Sequence, residues 1–161
     1  MILLALGANL PSPAGTPAET LRAALAALEN AGVHVRAASK FFVSAAWPDP
    51  RDPAFVNAVA KVETTLEPVA LLALLHAVER EFGRRRGERN APRTLDLDLL
   101  DYDGRVEEGP PRLPHPRMIE RGFVLIPLAD IAPDWRHPVS GRTVQSLIAE
   151  LSHDGRNVRK L

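Results

Sequence analysis

The run Leu95-Asp96-Leu97-Asp98-Leu99 alternates apolar and acidic residues without a break. A period of two marks a strand with one buried face. This stretch hides three leucines on one side only by presenting two carboxylates on the other. Like charges on one strand face repel unless something positive sits between them. Arg84, Arg85, Arg86, Arg89 and Arg93 crowd the polar stretch just upstream. Carboxylates suit hard cations and guanidiniums suit phosphates, so the two groups together suggest a site for a metal-bound polyphosphate. The plain alternative is a solvated strand face beside an exposed basic loop.

The rest of the chain supports a real core around that strand. At 161 residues the length predicts a single domain, 1–161. Hydrophobic residues make up 45%, which excludes disorder, and no apolar run approaches a membrane span. The absence of cysteine rules out disulfides and thiolate metal sites and fits a reducing, cytoplasmic setting. Twenty acidic residues balance the lysines and arginines, so no global field draws the protein to nucleic acid. The polarity is local, with arginines between Arg80 and Arg93 and acids from Asp96 to Glu108.

Ile2–Leu6 reads as a first strand closed by Gly7. Thr16-Pro17-Ala18-Glu19 is a helix start with a Thr cap, Pro at the first helical position and Glu at the third. Leu21, Leu25 and Leu28 continue at helical spacing to Gly32. Val33–Val43 is expected as one strand, and the Pro- and Asp-rich 48–53 run as a loop. Phe55–Thr64 alternates, with Val56, Ala58, Ala60 and Val62 opposite Phe55, Asn57 and Val59. A second helix follows Pro68, its stripe being Leu71, Leu75, Val78 and Phe82. After Leu95–Tyr102, Asp103-Gly104 offers a hairpin turn into a short partner at Arg105–Glu107. Helices are expected at Arg121–Ala132 and Val144–Leu151. The order strand–helix–strand–strand–helix–strand is the ferredoxin-like βαββαβ arrangement, an α+β fold with a mainly antiparallel sheet and helices on one face. Asp96, Asp98, Asn57 and Phe55 then share the open face.

Arg89-Asn90-Ala91-Pro92-Arg93-Thr94-Leu95-Asp96-Leu97-Asp98-Leu99-Leu100 closely resembles the signature of the 6-hydroxymethyl-7,8-dihydropterin pyrophosphokinases of folate synthesis. Leu6-Gly7-Ala8-Asn9-Leu10 looks like that family's opening strand and turn. Phe55-Val56-Asn57-Ala58 resembles its pterin segment, and Pro114-His115-Pro116-Arg117-Met118 with Arg121-Gly122-Phe123 its later motifs. The resemblance implies Mg²⁺-dependent transfer of a pyrophosphoryl group from ATP to the hydroxymethyl group, releasing AMP. It implies two Mg²⁺ ions on Asp96 and Asp98, and catalytic roles for Arg89 and Arg93 as well. For ATP it points to His76, Glu79, Arg84, Arg86, Leu99, His115 and Arg121. For the pterin it points to Ser44, Trp47, Phe55, Asn57, Asp96 and Phe123. Asn90 departs from the tryptophan often found there. ATP and the hydroxymethyl pterin are thus the expected partners of a monomer that binds neither nucleic acid nor membrane.

Two other readings fit parts of the pattern. A ferredoxin-like RNA-binding module would use the Arg-rich loop, but the aromatic-rich sheet motif of such domains is missing and the acidic strand repels phosphate. A metal-dependent phosphohydrolase would use Asp96 and Asp98 alone.

Overall fold

The computed structural model of the chain describes residues 1–85, 87 and 89–161. β1 (Ile2–Ala8) is an interior strand of the sheet, almost wholly apolar and buried along nearly all its length. It pairs antiparallel with β4 (Phe55–Glu63) on one side and β5 (Asp96–Tyr102) on the other. The expected strand at 33–43 is two pieces, β2 (His34–Ala38) and β3 (Phe42–Ser44), both paired with β4. Ser39 causes the break. Its Oγ accepts from the Val59 N–H and donates to Lys40 O, which occupies the ladder with a side chain. β6 (Val158–Lys160) adds to β3, giving the order β5-β1-β4-β3-β6.

α1 (Pro17–Asn30) begins at the expected capping box. Thr16 Oγ1 accepts from the Glu19 N–H, and Glu19 Oε2 accepts from the Thr16 N–H at 2.7 Å. α2 (Pro68–Glu81) buries Leu71, Leu75 and Val78 and stops at Gly83, whose φ of 82° suits a residue without a Cβ. These two helices cover one sheet face, where Val56, Ala58, Ala60, Val62, Leu95, Leu97 and Leu99 form a single core.

The other face is not bare, contrary to the one-sided expectation. α3 (Gly122–Ile131) and α4 (Val144–Glu150) cover part of it, packing Val124, Leu125, Leu128 and Leu147 onto Leu3, Val59 and Leu100. Leu100 shares the outer face with Asp96 and Asp98 by simple alternation, and α3 covers it there. The register slip at Leu3/Leu4 then turns Asp101 outward to Trp135 and Tyr102 inward to the first core.

The outer residues of β1 then shrink from Leu3 to Ala5 to Gly7. Bulk lies under α3 and a small-residue floor lies beyond it. The Asp103-Gly104 turn forms, with φ of 52° and 70°, but Arg105–Glu107 does not continue as a strand. Glu107 instead bridges to Leu113, and the chain that follows returns to β5 through the His115 N–H, which donates to Leu100 O at 2.8 Å. Among the described residues no helix is long and apolar enough to cross a membrane.

Candidate active site

One row of paired residues crosses the sheet through Phe42, Asn57, Gly7 and Asp96. Asn57 and Asp96 therefore flank Gly7 on the same face, and Ala5↔Asp98 lies next along the strand. A Cβ on Gly7 would meet Asn57 Oδ1 at 3.5 Å and the Phe55 ring at 3.7 Å. The glycine keeps the floor flat where these side chains converge. Above it opens a cleft of about 680 Å³. Its walls include Ser44, Trp47, Phe55, Asn57 and Arg93 on one side. Asp96, Asp98, Arg121 and Phe123 complete the part expected from sequence.

The two aspartates have unequal surroundings. Asp96 is held by two guanidiniums: Arg84 Nη1 lies 2.5 Å from Oδ1 and Arg93 Nη1 lies 3.1 Å from Oδ2. Among the described residues Asp98 has only longer contacts, Arg121 Nη1 at 3.6 Å and His115 Nε2 at 3.9 Å from its Oδ2. Burial, and next the negative charge of Asp96, push the Asp98 carboxyl up to about 6, with Arg121 opposing. Burial, helped by nearby Arg121, pushes His115 down to about 4, so its ring is neutral at physiological pH. His115 Nδ1 accepts from the Arg117 N–H at 3.2 Å, which leaves the ring proton on Nε2, the nitrogen facing Asp98. The contact is dipolar, not a salt bridge.

Behind Asp96 the strand edge is closed by charge. β5 is the last strand on its side, so it has unpaired backbone groups. Glu79 Oε1 accepts from the Leu97 N–H at 2.8 Å and from Arg84 Nη1 at 2.7 Å, while Arg84 also donates to Leu95 O at 3.3 Å. Glu79 is 3% exposed, and these donors offset the cost of burying its charge. It acts on Asp96 through Arg84.

On the opposite wall Asn57 Nδ2 donates to Ser44 Oγ at 2.8 Å, both groups being buried. Asn57 Oδ1 has no hydrogen bond among the described residues. Phe55 lies beneath the Arg93 guanidinium at 5.9 Å, and Phe123 beneath that of Arg121 at 5.6 Å. Trp47 is 65% exposed on its loop, with Arg117 6.0 Å from its ring.

The remaining assignments lie elsewhere. His76 is half-buried on α2, outside the cleft wall. Arg89 is exposed in a turn, also outside that wall. Leu99 is in the core on the opposite sheet face, so its side chain cannot touch a ligand on the aspartate side. Arg86 lies outside the described residues. Asn90, at φ 63°, lines the cleft where an aromatic ring was the usual expectation, and asparagine tolerates that conformation.

Sequence reading missed Arg117, Glu120 and the segment carrying Ser152, Asp154 and Asn157, all of which line the cleft. Gly122 explains how that segment gets there. A Cβ on it would fall on the carbonyl oxygen of Gly155, so only glycine lets the tail pack against the first turn of α3.

The geometry is that of a phosphoryl-transfer enzyme with a flat, aromatic-flanked pocket beside two carboxylates. The profile of the 7,8-dihydro-6-hydroxymethylpterin-pyrophosphokinase (HPPK) family matches residues 3–133. The chain is 41% identical to the 2-amino-4-hydroxy-6-hydroxymethyldihydropteridine pyrophosphokinase of Synechocystis sp., over 92% of this chain and 75% of that one. To the Pseudomonas aeruginosa protein of the same name it is also 41% identical, over 96% and 93% respectively. The fold matches the Plasmodium falciparum HPPK-DHPS crystal structure with a TM-score of 0.74. That match covers 99% of this chain and 44% of that one; at 13% identity it bears on the fold alone. The chain belongs to the HPPK family. It is a pyrophosphokinase of folate biosynthesis.

Proposed function

We propose that the protein transfers the terminal pyrophosphoryl group of ATP to the hydroxymethyl oxygen of 6-hydroxymethyl-7,8-dihydropterin, releasing AMP, with two Mg²⁺ ions on Asp96 and Asp98. The observation that carries this reading is the single sheet row that sets Asn57 and Asp96 on either side of Gly7. A pterin seated on the glycine floor has its amide-like edge at Asn57 and its substituent directed toward the carboxylates. Asn57 suits that edge because its Oδ1 accepts while its amide nitrogen donates. Phe55 and Phe123 supply aromatic faces for the flat ring.

The donor set fits Mg²⁺. It is all oxygen, and among the described residues no third His, Cys, Asp or Glu joins the pair, which leaves coordination positions for phosphate oxygens and water. Bound there, the metals would neutralise the triphosphate and stabilise the attacking and leaving oxygens. The protein's own groups do the rest. Arg93 and Arg121 donate to phosphate oxygens, Arg93 most strongly in the transition state, where charge is greatest. Neutral His115 offers its Nε2–H to a phosphate oxygen without adding a charge. Arg84 and Glu79 hold Asp96 on the ligand side. His76, Arg86, Arg89 and Leu99 complete the ATP side, Leu99 through its backbone, while Ser44 and Trp47 complete the pterin side. We take the working unit to be one monomeric domain, 1–161, cytoplasmic and without affinity for nucleic acid.

The test is product analysis with ATP, Mg²⁺ and the hydroxymethyl dihydropterin. Stoichiometric AMP and diphosphorylated pterin are expected. Inorganic phosphate or ADP as the product overturns the assignment.

A further inference from the structure

One buried side chain outside the ligand-facing set holds two walls of the cleft at once. Asn9 follows β1 and is 3% exposed. Its Oδ1 accepts from the Arg93 backbone N–H at 2.8 Å, and its Nδ2 donates to Pro53 O at 3.0 Å. The backbone N–H groups of Asn9 and Leu10 both reach Arg93 O at 3.2 Å. A single amide thus joins the end of the Arg-rich segment to the residue two before Phe55, where β4 starts. Only a side chain with both an acceptor and a donor can do this; aspartate lacks the donor and alanine lacks both.

The consequences reach both ligands. Arg93 extends from its tethered backbone to Asp96 Oδ2 at 3.1 Å and lies over the Phe55 ring at 5.9 Å. A shift at Pro53 is therefore passed to Arg93 along two routes, through the Asn9 amide and through Phe55. A fixed hydrogen-bond chain of this kind transmits displacement because each link has one good geometry. We infer that Asn9 is a positioning residue that couples the pterin wall to the phosphate side: seating the pterin against Phe55 fixes the backbone of Arg93 and so prepares the transfer.

This inference rests on the pyrophosphokinase reading, and its test separates the two. Amide hydrogen exchange is measured at Leu10 and Arg93 with 6-hydroxymethyl-7,8-dihydropterin alone, in the native protein and in Asn9→Asp and Asn9→Ala. Single-turnover transfer and the pterin dissociation constant are measured alongside. In the native protein, pterin is expected to slow exchange at Arg93 several-fold. Asn9→Asp keeps the acceptor for the Arg93 N–H but loses the link to Pro53. It should retain resting protection, lose the pterin-induced slowing and bind pterin several-fold more weakly. Asn9→Ala loses both links, and transfer should fall about 10–100-fold, the scale of a small misplacement of a reacting group. The coupling is overturned if pterin leaves Arg93 exchange unchanged, or if Asn9→Asp transmits the slowing as the native protein does. It is overturned equally if the variants change only the melting temperature. Should Asn9→Ala not fold, the native exchange and Asn9→Asp decide. A native protein that makes no AMP refutes the function instead, whatever Asn9 does.

Discussion

The two faces of β5 use the same seven residues for opposite ends. Inward, Leu97 and Leu99 are 2% and 3% exposed and pack under α1 and α2, where everything is matched to its neighbour. Outward, Asp96 and Asp98 are set two residues apart, and among the described residues Asp98 has only long contacts, to Arg121 and His115. The inner face is optimised for folding. The outer face keeps a carboxylate whose charge the fold alone does not satisfy, the pattern expected where binding has to supply the compensation. Substitutions on the two faces should therefore separate stability from activity.

The largest effect is expected on the outer face. Asp96→Asn or Asp98→Asn keeps the shape but weakens cation binding, and turnover should drop a thousandfold or more, about 4 kcal/mol of barrier. Circular dichroism should be unchanged. A variant keeping a tenth of native kcat rules out the paired-metal role.

Next is the inner face. Leu97→Ala leaves a hole in a well-packed core and should destabilise by about 2–5 kcal/mol in urea unfolding. Well below its melting temperature, both dissociation constants should stay within about threefold of native. If instead ligand binding is lost while stability holds, the two faces are not separable.

Smaller again is the pocket wall. Asn57→Ala removes the partner of Ser44 and the group proposed to meet the pterin edge, and should weaken pterin binding by about 1–3 kcal/mol. Calorimetric titration with an ATP analogue should show little change. Equal losses for both ligands would make Asn57 a structural residue.

Much of this contrast is visible in the sequence because it depends on local rules. The Thr16–Glu19 capping box, the Leu71–Leu75–Val78 stripe and the Leu95–Leu99 alternation each specify their element without help from elsewhere. The aspartates, Asn57 and Phe55 share a face for the same reason. What was illegible depends on contacts distant in sequence. Nothing in Val158-Arg159-Lys160 signals a strand; it is one because β3 has a free edge. Ser152 and Asp154 enter the cleft through the contact of Gly122 with Gly155. Asp101 and Tyr102 exchange faces through a bulge set by the β1 pairing. Asn9 lies within the Leu6–Leu10 motif, but its double tether needs Pro53 and Arg93 brought to it.

The smallest effect runs against intuition: the substitution that abolishes turnover should stabilise the metal-free fold. Asp98 titrates near 6 in the folded state against 3.8 in a free chain. Between those values the folded protein holds a proton that the unfolded chain has released, so stability falls as pH rises from about 4 to about 6 and stays at the lower level above. Asp98→Asn removes the penalty. Full burial would make that interval worth roughly 3 kcal/mol at 1.36 kcal/mol per pH unit. The side chain is 32% exposed, and solvent screening lowers the expectation to about 1 kcal/mol. His115, whose titration is depressed to about 4, lowers stability on the acid side, but it does so in both proteins and largely cancels in the difference. Urea unfolding of native and variant protein from pH 4 to pH 8, with chelator present, should show the variant gaining as pH rises and the two converging near pH 4. A difference that does not change with pH would mean that Asp98 is already compensated within the fold, and the contrast between the two faces of β5 would lose its energetic basis.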